Sequence, residues 1–185
     1  AVLTAALAHS APANDVFRHI PEKAPRTWIP AGETEAFIRF STQGGGKAYL
    51  ETIRKDFDAY WLDWPLPEEP AAFGDPDPRK RTSDKVDLWR GMQDLTGRVS
   101  GVAEAATLLW KVTGEEQYLE KAKAFLLGVA SWDPLGTTGI DYNDEAHFRI
   151  FRKMPGVYDQ IRNELTATER RLVLERLDAD RQPHL

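Results

Sequence analysis

Leu108–Asp144 reads LLWKVTGEEQYLEKAKAFLLGVASWDPLGTTGIDYND, and this stretch decides the fold. It comprises the end of one helix, a tight turn at Thr113-Gly114, an amphipathic helix and a Gly-rich loop. That loop carries Trp132, Tyr142 and a cluster of carboxylates to the start of another helix. Tyr118, Leu119, Ala122, Phe125, Leu126 and Val129 recur at three- and four-residue spacing, which predicts a buried stripe on a helix over Glu115–Ser131. Gly114 stands just past the preceding helix, where a left-handed backbone favours glycine.

Working outward, the same periodicity predicts a long helix from Ser83 or Asp84 to Val112, burying Val86, Trp89, Met92, Val99, Val102 and Ala106. Asn143 or Asp144 opens a helix running to Ile161, with a kink expected at Pro155, which lacks a backbone donor. Thr166-Ala167-Thr168-Glu169 has the form of a capping box, and Leu172, Val173 and Leu177 supply the last helix with its apolar stripe. Toward the N-terminus, a short helix is expected over Ala31–Phe40. Gly44-Gly45-Gly46 reads as a linker or turn, and Lys47–Trp61 as a helix on Tyr49, Leu50, Ile53, Phe57 and Tyr60. Asn14–Pro30, broken by Pro21, Pro25 and Pro30, reads as irregular chain. Pro65–Arg81, which carries Pro65, Pro67, Pro70, Pro76 and Pro78, reads as a long surface excursion. No period-two pattern competes. The fold class expected is all-α, built of antiparallel helix pairs, and periodicity alone leaves an open solenoid and a closed toroid as alternatives.

Composition bounds the function. A chain of 185 residues, 42% hydrophobic, buries roughly 70% of its unfolded surface, enough for one core. A net charge of −5 with no basic stripe argues against nucleic acid as the main partner. No apolar run approaches the ~20 residues that span a bilayer, so no membrane is expected. Absence of cysteine removes disulfides, thiol nucleophiles and thiolate metal sites. With 4 histidines and no His-x-x-x-His spacing, no zinc site and no cofactor are expected. The first thirteen residues, AVLTAALAHSAPA, read as the tail of a secretory signal ending at an Ala11-Pro12-Ala13 site, which points to a secreted or periplasmic protein with its helical domain over residues 14–185.

Several blocks occur in a characteristic order and spacing: Leu88-Trp89-Arg90; the run from Ala106 through Gly114 to Leu119; Ala130-Ser131-Trp132-Asp133-Pro134; Asn143-Asp144-Glu145-Ala146; Val157-Tyr158-Asp159; and the helix start at Leu165–Glu169. Together they resemble the N-terminal α/α-toroid domain of the heparinase II/III-like polysaccharide lyases, a family that includes alginate, heparin and chondroitin lyases and dermatan-sulfate epimerase. The resemblance covers about Phe17–Gln182 and implies part of an (α/α)n toroid. It also implies an anionic, uronic-acid-containing polysaccharide as partner and β-elimination as the chemistry, with completion by C-terminal domains or by a homo-dimer. The family's catalytic tyrosine and its cleft histidine and asparagine residues map mostly beyond Leu185, so the resemblance assigns no catalytic residue here.

Six residues are candidates for substrate binding, each with a structural alternative. Trp132 offers an indole to stack on a sugar ring, or anchors its loop. Tyr142 and His147 face a cleft together, or His147 is a hydrogen-bonded structural histidine. Asn143 and Glu145, with Asp144, bond sugar hydroxyls, or cap their helix and favour its positive end. Arg90 faces the cleft from its matched block. Arg149 and Arg152 bind an anion, or form an ion-pair ladder with Glu145 one turn earlier. Paired acids among Asp133, Asp141, Asp144 and Glu145 keep glycoside hydrolysis in view, and a non-catalytic carbohydrate- or protein-binding module is the alternative from another class.

Overall fold

The computed structural model describes residues 23–72 and 83–179. The signal-like stretch and part of the proline-rich excursion lie outside the described residues. Among the described residues there are seven α-helices: α1 (Thr34–Ser41), α2 (Gly44–Tyr60), α3 (Ser83–Thr113), α4 (Glu116–Ala130), α5 (Asp144–Phe151), α6 (Met154–Ile161) and α7 (Ala167–Ala179). Short 3-10 turns at Ala31–Glu33 and Arg162–Glu164 lead into α1 and out of α6. Among the described residues there is no strand, and the fold is all-α.

α3 is the spine, packing against α1, α2, α4, α5 and α6. It turns back into α4 through Gly114, whose φ of +72° is the left-handed conformation a β-carbon resists. The Gly114 amide donates to the Trp110 carbonyl at 2.8 Å, satisfying one of the helix's last acceptors. With so short a connection the two helices must run antiparallel. Their facing stripes, Val99, Val102, Ala103, Ala106 and Leu109 against Tyr118, Ala122, Phe125, Leu126 and Val129, form the core, joined by Val157 and Ile161 of α6 and Val173 of α7. Trp89, expected in that stripe, is only half-buried.

Two expected elements are corrected. Gly44-Gly45-Gly46 is not a linker but the first turn of α2. Gly44 takes φ +50°, and a β-carbon on Gly46 would fall inside the Phe40 carbonyl, so the glycines let α1 and α2 meet end to end. The expected helix from Asn143 to Ile161 is two helices, broken at Arg152-Lys153. Pro155 sits in the first turn of α6, where the missing N–H has no acceptor to satisfy, so the chain breaks just before it rather than bending through it.

α2 is tied to the α3–α4 corner by polar side chains. The Tyr118 hydroxyl donates to Asp58 Oδ1 at 2.8 Å, and Arg54 pairs with Glu115 at 2.8 Å. Burial first, then the bond to Asp58, pushes the Tyr118 phenol up to about 12, so it stays protonated as the donor. Lys121 of α4 donates to the Leu62 carbonyl at 2.7 Å and to the Trp64 carbonyl, gathering the chain end that follows α2. Trp64 then packs on Phe125, with Trp61 edge-on behind it.

The capping box forms as the sequence implied. The Thr166 amide donates to Glu169 Oε2 at 2.6 Å, and the Glu169 amide donates to Thr166 Oγ1 at 3.2 Å. These bonds, the backbone one first, lower the Glu169 carboxyl below its ordinary value. A carboxyl depressed on folding contributes stability above its unfolded value, near 4.5, and loses that contribution as pH falls through the folded one. Glu169→Gln is therefore expected to lower the melting temperature at pH 7 and to match wild type near pH 3. An equal deficit at both pH values would dissociate the carboxylate from the cap.

Ahead of α1 the chain forms a strap across α6. Asp159 Oδ2 accepts from the Arg26 amide at 2.5 Å, the Thr27 amide at 2.7 Å and the Thr27 hydroxyl at 2.9 Å. The Gln160 side-chain amide donates to the Ile29 carbonyl at 3.1 Å and to the Thr27 carbonyl. The loop is closed on itself by the Ala31 amide donating to the Pro25 carbonyl at 3.0 Å, and Ile29 is buried beneath it.

Candidate functional site

The Gly-rich loop after α4 is fixed by the start of the proline-rich excursion. Glu69 accepts from the Asp133 amide at 2.9 Å and from the Thr138 hydroxyl at 3.0 Å, and Thr137 donates to the Pro70 carbonyl. Leu66 lies on the bare face of Gly128, where a β-carbon would displace it. The loop ends at Asn143, whose Oδ1 accepts from the Ala146 amide at 3.0 Å and so caps α5. This anchoring sets where α5 begins and which of its residues face α3.

Between α5 and α3 lies a cleft of about 400 Å³. Its floor is Gly97 and Ser100 of α3, and its wall is Glu145, Phe148 and Arg149 of α5 with Arg152 and Lys153 beyond it. The two segments lie close: a β-carbon on Gly97 would be in ordinary contact with Arg149 Cδ at 3.8 Å, and one on Gly101 with Lys153 Nζ at 3.7 Å. Glycines four apart on α3 thus receive cationic side chains four apart on the facing segment. Lys153 is neutralised by Glu104 at 2.6 Å. Among the described residues no carboxylate lies within ion-pair distance of Arg149 or Arg152, so the ion-pair ladder with Glu145 does not form. The physical reason is the direction of Arg149: its stem crosses Gly97 toward α3 instead of running back along α5. Phe148 adds an aromatic ring at 56% exposure.

Of the six residues nominated from sequence, this cleft takes in Glu145 alone. Trp132, at 7% exposure, packs as a loop anchor, and its carbonyl accepts from Arg176 Nη1 at 2.5 Å. Asn143 is buried, with its Nδ2 donating to Met92 Sδ at 3.6 Å. His147 is buried too, its ring stacked on Phe151 with centroids 5.6 Å apart. Tyr142 is half-buried, its amide bonded to the Gly139 carbonyl at 3.2 Å. Arg90 is exposed on α3, about two turns before Gly97. Sequence reasoning did not pick out Gly97, Ser100, Phe148 or Lys153. The available signal was the matched four-residue spacing of Gly97/Gly101 and Arg149/Lys153, which acquires meaning only once α3 and α5 are known to touch.

The arrangement is suited to holding anions. Two guanidinium groups with no carboxylate partner among the described residues present planar donor forks, the geometry that matches carboxylates. Among the described residues no three His, Asp or Glu side chains are grouped as a metal would need. In comparison with known proteins, no protein-family model and no curated protein matches the chain.

Proposed function

We propose that this chain is the N-terminal helical part of a polysaccharide lyase that cleaves a uronic-acid-containing polysaccharide of alginate or glycosaminoglycan type by β-elimination. In this reading the antiparallel helix pairs form part of an (α/α)n toroid, and the protein acts outside the cytoplasm, secreted or periplasmic. The observation that carries the reading is the α3–α5 cleft, in which Arg149 and Arg152 stand beside an exposed phenyl ring over a glycine floor. Uronate carboxylates would be met by the guanidinium forks, and the apolar face of a sugar ring by Phe148. In β-elimination the carboxylate is neutralised, a base removes the C5 proton, electrons form the C4–C5 double bond, and the departing O4 is protonated. The arginines serve the first of these steps.

One observation favours a non-catalytic carbohydrate- or protein-binding module instead: among the described residues, neither a tyrosine nor a histidine lines the cleft, so the proton carriers are not there. The two readings separate in one assay. The natural polypeptide containing this chain is incubated with alginate, heparin or chondroitin sulfate, and the ultraviolet absorbance of unsaturated uronate is followed. Absorbance growth supports the lyase; retention on immobilised alginate without absorbance growth supports the module; neither result removes both.

A further inference from the structure

Midway along the strap, Trp28 has a backbone that a tryptophan rarely adopts. Its φ of +52° lies in the left-handed region, which a residue with a β-carbon resists. Glycine would occupy that position without the penalty. The residue is nonetheless 38% exposed, more than any other of the chain's 6 tryptophans.

The surroundings are built to present this ring. Gly156 lies under it, and a β-carbon there would fall inside contact distance of indole Cε2. That atom is nearer to the glycine than its neighbours Cζ2 and Nε1, so α6 approaches the face of the ring and not its edge. With α6 against one face, the opposite face is the one left for a ligand to stack on. The strap on both sides of Trp28 is fastened by the side chains of Asp159 and Gln160, which between them make five hydrogen bonds to Arg26, Thr27 and Ile29. Gly156, Asp159 and Gln160 thereby hold a strained, partly exposed residue with one aromatic face on the protein. Backbone strain maintained by its surroundings is characteristic of ligand-binding positions.

We propose that Trp28 is a stacking platform for a sugar ring, a subsite carried by the strap beyond the cationic cleft. Gly156 stands three residues after Lys153, so the platform lies about one helical turn along α6 from the end of that cleft. The inference rests on the reading of the chain as carbohydrate-binding, and it places an uncharged contact next to charged ones. A ring bound there is recognised by its apolar C–H face, so its grip should be insensitive to salt.

The test is oxidation of the intact protein with N-bromosuccinimide, the rate at each tryptophan being read by peptide mass spectrometry. Alginate hexamers serve as the charged probe and cellohexaose as the neutral one. Trp28 is expected to be the first tryptophan oxidised, and alginate hexamers at saturation are expected to slow its oxidation at least about fivefold. Trp28→Ala should weaken binding of those hexamers about tenfold, an effect of the size that stacking on an aromatic side chain gives in other ligands, and Trp28→Phe should restore most of it. Absence of protection by both probes overturns the proposal, as does unchanged affinity of Trp28→Ala. Protection that persists in Arg149→Ala/Arg152→Ala retains the platform while removing the cleft from sugar binding. Loss of hexamer binding in that double variant with Trp28 unprotected in wild type does the reverse.

Discussion

Replacing Phe125 by alanine is expected to destabilise the protein by about 3–5 kcal/mol, the range for emptying a fully packed aromatic site. Phe125 is 1% exposed at the centre of the α4 stripe, and Trp64 packs on it with ring centroids 5.7 Å apart. Lys121 Nζ sits 4.8 Å from the centroid of the same ring while donating to the Leu62 and Trp64 carbonyls. Truncation therefore removes apolar burial and loosens the seat of the chain that follows α2. For a protein of this size the loss corresponds to a fall in melting temperature of roughly 10 °C. Urea unfolding followed by circular dichroism measures it, and a loss under about 1 kcal/mol would mean that the α3–α4 core does not close over this position.

Removing both cleft arginines should act on binding and leave folding nearly untouched. Arg149 and Arg152 are exposed, and exposed substitutions of this kind change stability by about 0.5 kcal/mol or less. Each hydrogen bond from a charged donor to a carboxylate contributes about 1.5–3 kcal/mol. Arg149→Ala/Arg152→Ala is thus expected to weaken alginate hexamer binding about a hundredfold or more, measured by titration calorimetry at low salt. The salt dependence of the remaining affinity should flatten, since the charges responsible are gone. Wild-type affinity in the double variant would remove the cleft as the carboxylate site and with it the main support for a uronate substrate. Glu145→Gln, which takes one negative charge from the same wall, should shift affinity modestly in the opposite direction.

The helices were legible because each is specified by neighbours in the chain. The Tyr118–Val129 stripe, the stop at Gly114 and the Thr166–Glu169 box all act within a few residues, and all three form as their spacing implies. The errors arose where a local signal has two outcomes. Three consecutive glycines usually interrupt a helix, but here Gly46 is needed against the Phe40 carbonyl, and that contact exists only because α1 turns back on α2. Pro155 announced a disturbance, and its position in a new first turn decided that the disturbance was a break.

Of the candidate cleft, the nominated residues included Glu145 alone. The reading nominated Trp132, Tyr142 and His147 as the rings and Arg90 as the cation, none of which lines the cleft, and it weighed Arg149 and Arg152 as anion ligands against an ion-pair ladder. The ladder does not form because the stem of Arg149 crosses Gly97, about fifty residues away along the chain, toward α3. Trp28 was invisible for a related reason, since its presentation depends on Gly156, Asp159 and Gln160, more than a hundred residues later. By itself the sequence determined an all-helical chain, its capping and its buried stripes, because hydrophobic periodicity and terminal hydrogen bonds are short-range. Only the tertiary structure decided which exposed cations have no carboxylate partner among the described residues and which tryptophan is most exposed, because pairing and exposure are set by contacts between residues far apart in the chain.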